Sequence, residues 1–83
     1  MTIEDTLKEL IVERLFLDIA PEQIETDTAL ADYDIDSFLL LELIVAMEET
    51  FEIKFEQPDI TARTLKSVAT LAEAIRIKQA AGA

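Results

Sequence analysis

Apolar residues recur at helical spacing in three stretches of this chain, and between the first two the period disappears. The first stretch holds Ile3, Leu7, Leu10, Ile11, Arg14 and Leu15. Side chains three and four apart share one face of a helix, so the aliphatic members of this set face a core. Thr2 stands ahead of them, and Glu4 and Asp5 follow. A hydroxyl there caps the free N–H groups of the first turn, and the acids suit its positive end. The pattern predicts a helix over residues 3–17.

Residues 18–36 show no sustained period. Ile19, Ile24, Leu30, Tyr33 and Ile35 are scattered among acids. Pro21-Glu22-Gln23 suits one short turn of helix, because proline is tolerated at a first helical position. The remainder reads as a loop longer than compact domains normally carry, and such loops tend to serve function. Its apolar residues are expected to pin it onto the rest of the molecule.

From Ser37 the helical pattern returns. Leu40, Leu43, Ile44, Met47 and Phe51 form one apolar stripe. The opposite side carries Phe38, Glu42, Val45 and Glu49, a mixture of apolar and acidic residues that suits a partner better than bulk water. Leu39 lies about 100° from Phe38 on the helical wheel, at the border of the outer face. It is expected to be partly exposed there, beside Phe38, Leu41 and Val45. "EIKFE", residues 52–56, has strand character, but a lone strand would have no mate. Pro58 and Asp59 start a turn or a very short helix near Ile60. Ser67 caps a last helix with Val68, Leu71, Ala72 and Ile75 as its inward stripe, and Gly82 and the final alanines are expected to fray. The expected fold is all-α: a small four-helix bundle of three main helices and one short one, with a long first loop.

Composition narrows what such a bundle does. The 83 residues suffice for one domain with one core. The chain has no Cys and no His, so it brings no thiol, no disulfide, no imidazole base and no usual zinc site. Eighteen acids against seven bases leave a net charge of −11, which repels phosphate backbones and argues against nucleic acid. The charge is uneven. No Lys or Arg occurs from Leu15 to Ile53, whereas Arg63, Lys66, Arg76 and Lys78 face only Glu73 after Asp59. Solubility accounts for some of this, and an acidic docking face for basic partners is the sharper reading. No apolar run reaches membrane-spanning length, and the N-terminus is acidic, unlike a secretion signal. A cytoplasmic monomer without membrane partners is therefore expected, and Met1 reads as the start of a free-standing protein.

The chemistry concentrates in "DYDIDSF", residues 32–38. Alternating Asp32, Asp34 and Asp36 resemble the ligand spacing of a calcium loop. Counted from Asp32, however, Ser37 stands where glycine makes the turn, and Leu43 stands where a bidentate Glu is required. No metal site and no catalytic residue is assigned, since Ser37 has no motif placing a base beside it. The plain structural reading is that Asp36 or Ser37 caps the helix. That alone does not explain a hydroxyl opening a helix with a mixed acidic and apolar face.

The run "DSFLLLELIVAMEETFEIKF" resembles the phosphopantetheine-attachment segment of acyl carrier proteins and the related peptidyl carrier proteins. "APEQIETDTALADYDIDS" resembles the long first loop of that family, and "SVATLAEAI" its last helix. The resemblance spans nearly the whole chain and implies a single carrier domain over residues 1–83, not itself an enzyme. It implies that a phosphopantetheine transferase joins phosphopantetheine from coenzyme A to Ser37, and that the arm's thiol carries acyl or aminoacyl groups as thioesters. A carrier without Cys fits this scheme, because the prosthetic group supplies the thiol. By the same resemblance, Asp36 helps the transferase recognise the site. It also implies that Phe38, Glu42, Val45 and Glu49 meet the basic docking surfaces of acyl-loading and acyl-processing enzymes, and the position of Leu39 on the wheel adds the expectation of an apolar contact beside them.

The chain departs from the family pattern around Ser37, where Leu40 and Leu41 extend an apolar run. Asp34 occupies a position that is often glycine, and Leu39 one that is often acidic. Specialised polyketide, peptide or lipid pathways are thus as compatible as fatty-acid synthesis. The alternatives from other classes are an unmodified acidic helical interaction module and a degenerate calcium-binding module.

Overall fold

The computed structural model describes residues 2–82. Three α-helices account for most of it: α1 (Ile3–Arg14), α2 (Ser37–Phe51) and α3 (Val68–Gly82). Single 3-10 turns at Pro21–Gln23, Leu30–Tyr33 and Gln57–Asp59 punctuate the connections. The bundle is all-α as expected, and Pro21 opens a turn as its fixed φ favours. The short fourth element is a 3-10 turn at Gln57–Asp59 that ends on Ile60, as the Pro58-Asp59 signal suggested. α3 is helical through Gly82, and the fraying expected for the last residues falls partly on Ala83, outside the described residues.

Thr2 caps α1 reciprocally. Its hydroxyl accepts the Asp5 N–H at 3.1 Å, and the Asp5 carboxylate accepts the Thr2 N–H at 3.4 Å. The helix stops at Arg14 and not at residue 17. The reason is local: Phe16 turns left-handed (φ 55°), and the Leu17 N–H bonds back to the Val12 carbonyl at 3.1 Å. That is a Schellman closure, which satisfies carbonyls that otherwise lack partners at a helix end. α2 ends the same way, with Glu52 at φ 54° and the Ile53 N–H on the Glu48 carbonyl at 3.2 Å.

A side chain in this left-handed region costs roughly 1–2 kcal/mol, and glycine escapes the cost. Glu52→Gly is therefore expected to stabilise the fold by about 0.5–1 kcal/mol, part of the gain being lost to a freer unfolded chain. A urea melt whose midpoint falls for this variant would reveal a compensating contact of Glu52.

Two arrangements orient the helices. Arg76, midway along α3, makes paired hydrogen bonds of 2.6 and 2.9 Å to the carboxylate of Glu4 in the first turn of α1 and so ties these two helices together. The starts of α2 and α3 lie together around one cavity that includes Ser37, Leu65 and Lys66. Their far ends share a cleft lined by Phe51 and Lys78. The Arg76 hydrogen bonds hold the Glu4 carboxyl below its ordinary pKa, and a Lys78 hydrogen bond does the same for Asp59. Each contribution is present above the ordinary carboxylate pKa and fades as pH falls through the lowered value. Both pairs remain partly open to solvent, so their share of stability is modest.

The core joins all three helices and the first loop. Leu7 and Ile11 of α1, Leu43, Ile44 and Met47 of α2, and Val68, Leu71 and Ile75 of α3 are buried. Ile24, Leu30 and Ile35 of the loop are buried with them, and Ile19 and Tyr33 pack half-buried against the same cluster. The loop is thus pinned as its scattered apolar residues required. It is also hydrogen-bonded to the start of α3: the Ala69 N–H donates to Thr26 at 3.0 Å and the Leu30 N–H to Lys66 at 2.7 Å.

Candidate functional site

The loop delivers the chain to α2 through a sequence of fixed points. The Tyr33 hydroxyl accepts the Glu25 N–H at 2.9 Å, closing the middle of the loop on itself. The turn Leu30–Tyr33 ends at Asp34, which adopts φ 62°. This explains why glycine is at home at that position, and Asp is among the side chains that tolerate it best. Ile35 then buries, which leaves Asp36 extended outside the helix (φ −88°, ψ −177°) as its N-cap. The Asp36 carboxylate accepts the Leu39 N–H at 2.9 Å. Capping is therefore done by Asp36, and Ser37 is the first residue of the helix proper, exposed to solvent. An anion attached to Ser37 would sit at the positive end of a 15-residue helix.

Beside Ser37 opens a cavity of about 370 Å³, lined chiefly by aliphatic side chains of Leu30, Ile35, Leu40 and Leu65 and by small alanines such as Ala29 and Ala62. Lys66 stands on its rim. Lys66 and Ala62 were not singled out from the sequence, because the stretch before Ser67 has no period that would point them anywhere. The start of α3 that carries this wall is fixed by Thr70. Its hydroxyl accepts the Ser67 N–H at 3.0 Å and donates to the Thr64 carbonyl at 2.8 Å, while Ser67 Oγ accepts the Thr70 N–H at 3.3 Å. Ser67 thus caps as its position suggested.

The outer face of α2 exposes Phe38 at 69%, Leu41 at 57% and Val45 at 53%, with Glu42 and Glu49 exposed among them. Leu39 is half-buried and packs on the core. The exposed aliphatic neighbour of Phe38 is therefore Leu41, and Leu39 offers only its edge. The two acids near the end of α2 differ in use. The Glu48 carboxylate accepts the Phe55 N–H at 2.8 Å and tethers the following segment. Glu49 stays exposed, 3.9 Å from the Arg14 guanidinium, a neighbour that sequence periodicity could not reveal. The three alternating acids go separate ways. Asp36 caps α2, whereas Asp32 and Asp34 line a cleft with Phe16. Among the described residues, no group of three or more His, Cys, Asp or Glu side chains is placed to hold a metal ion, and no helix is long and apolar enough to cross a membrane.

Comparison with known proteins agrees with this geometry. The family model described as "Phosphopantetheine attachment site" matches residues 5–75. The acyl carrier protein of Chlamydia caviae is 35% identical over 79 residues, covering 95% of this chain and 99% of the relative. That of a Sulfurovum species is 35% identical over 77 residues, covering 92% and 93%. Among solved structures, the holo acyl carrier protein of Nitrosomonas europaea superposes with a TM-score of 0.83 at 21% identity, over 96% of this chain and 99% of the other. A carrier protein from Agrobacterium tumefaciens, solved with a Bradyrhizobium japonicum glycine:[carrier protein] ligase and ATP, gives 0.81 at 19% identity, over 90% and 97%. At those identities the structures establish the fold, and the family rests on the sequence matches. Proteins of this kind are carriers and not enzymes, and their prosthetic group is phosphopantetheine. A family model spanning most of the chain, together with relatives at 35% identity over nearly its whole length, places the chain in the phosphopantetheine-attachment family of acyl carrier proteins.

Proposed function

We propose that Ser37 is the attachment point and that the protein carries acyl groups for a cytoplasmic biosynthetic pathway. The observation that carries this reading is the exposed Ser37 hydroxyl as first residue of α2, with Asp36 already capping the helix and an aliphatic cavity alongside. The chain's residues fit the group. The hydroxyl is accessible, the helix start favours the phosphodiester's charge, and Leu40 and Leu65 offer an apolar wall to whatever the arm presents. Phosphopantetheine supplies the thiol on which cargo is held as a thioester. Asp36 positions Ser37 through its cap and keeps a carboxylate oxygen for the transferase. Phe38, Glu42, Val45 and Glu49 give partner enzymes an apolar strip flanked by acids, with Leu39 at its edge. Relatives named acyl carrier protein support an acyl cargo over an aminoacyl one. The apolar cavity lining supports the same choice, whether the pathway makes fatty acids, polyketides or another lipid.

Incubation of the apo protein with a broad-specificity phosphopantetheine transferase and coenzyme A is expected to add one arm per chain by intact mass. Ser37→Ala is expected to add none. Equal addition to both proteins, or none to the wild type, removes the proposal.

A further inference from the structure

Phe16 is unfavourably placed in two independent ways. Its backbone lies in the left-handed region at φ 55°, which costs a bulky side chain roughly 1–2 kcal/mol. Its side chain, the most exposed of the large apolar ones among the described residues, is 90% open to solvent and recovers little of that cost by burial. The closure of α1 needs only a residue that tolerates this conformation, and glycine meets that need best. An aromatic ring here is not a requirement of folding. Backbone strain that the fold does not need is reasonably traced to function.

The surroundings define what the ring is for. Phe16 borders a cleft of about 430 Å³ with Leu17, Ile19 and Tyr33 as apolar walls and Asp18, Asp32 and Asp34 as acids. Leu17, Ile19 and Tyr33 are half-buried, so Phe16 alone projects. No Lys or Arg occurs between Leu15 and Ile53 to neutralise the rim. The base nearest in sequence, Arg14, lies 3.9 Å from Glu49. An apolar knob ringed by acids complements an apolar recess ringed by Lys and Arg. The rim also leads into the modification site, because Asp34 is three residues ahead of Ser37.

We infer that Phe16 and its acidic rim form a second docking point, separate from the outer face of α2. Its partner is a protein surface with a basic-edged apolar pocket on an enzyme that acts at Ser37. The inference rests on Ser37 being the attachment point, so arm transfer is the assay. The probes are Phe16→Gly, Phe16→Tyr and the double variant Asp18→Asn/Asp32→Asn, each given to a broad-specificity phosphopantetheine transferase with coenzyme A. Phe16→Gly is expected to raise the denaturation midpoint, because strain is released. It is also expected to raise KM for the carrier at least fivefold while kcat stays within twofold. Phe16→Tyr, which keeps the ring, is expected to hold KM within twofold. The double variant is expected to raise KM at low salt and to lose that effect at high salt. Opposite signs for stability and docking are the signature, since a merely structural Phe16 would move both together. A more stable Phe16→Gly with unchanged KM overturns the inference and leaves the attachment reading intact, and so does a less stable Phe16→Gly. Absence of transfer to the wild type overturns the attachment reading, and this inference falls with it.

Discussion

Leu71→Ala is expected to cost about 3–4 kcal/mol and to leave a large fraction of the protein unfolded near 37 °C. Leu71 is fully buried in the first turn of α3, in one cluster with Leu7, Ile11, Leu43 and Met47. Truncating such a side chain removes its transfer energy and opens a cavity, with typical losses of 2–5 kcal/mol. The margin is thin. A domain of 83 residues holds on the order of 4–12 kcal/mol in total, and a net charge of −11 draws on it through self-repulsion. Leu41→Ala, on the outer face of α2, is the control and is expected to stay within about 0.5 kcal/mol of wild type. Urea melts of the three proteins at fixed salt decide the matter. A Leu71→Ala loss below about 1 kcal/mol would mean that α3 is not packed on this core.

The second large effect concerns cargo. The cavity beside Ser37 has aliphatic walls and small alanines, with Lys66 on its edge, and is open to solvent on one side. Each methylene buried contributes about 0.8 kcal/mol. A six-carbon acyl chain entering the cavity is expected to stabilise the fold by about 2 kcal/mol, roughly half its full burial value because one side stays wet. Acetyl cargo is expected to add almost nothing, and chains beyond the cavity's depth are expected to bring no proportional gain. Denaturant midpoints of the holo, acetyl, hexanoyl and decanoyl forms would trace this curve. A flat curve would place the cargo outside the bundle, and the aliphatic lining of the cavity would then serve folding alone.

The sequence exposed what repeats and hid what depends on tertiary neighbours. The stripes of α2 and α3 were legible because Leu43, Ile44 and Met47, and Val68, Leu71, Ala72 and Ile75, follow the helical period closely, and all are buried. Thr2, Asp36 and Ser67 announced helix starts by their side-chain oxygens, and each makes its capping bond. The end of α1 was not legible. Periodicity runs on through Leu15, and nothing in "LFL" signals the left-handed turn that glycine would have announced. Leu39 was placed on the wheel from an ideal helix. It is half-buried there, partly exposed as expected, with its inner side on the core. The cavity wall at Ala62, Leu65 and Lys66 was illegible: its residues meet Ser37 only because loop and α3 are joined by hydrogen bonds between distant positions.

Those same hydrogen bonds bear on the order in which the molecule can assemble. The first loop finds its partners at Lys66 and Ala69, and the first turn of α1 finds its ion pair at Arg76. During synthesis, the segment holding Ser37 therefore emerges from the ribosome before the part of its support that α3 supplies. The loop's bonds to Lys66 and Ala69 wait until α3 has left the exit tunnel. A nascent chain stalled after Phe51 presents Ser37 without the hydrogen bonds that tie its loop to α3. On the proposed attachment at Ser37, the modifying enzyme would then meet finished molecules.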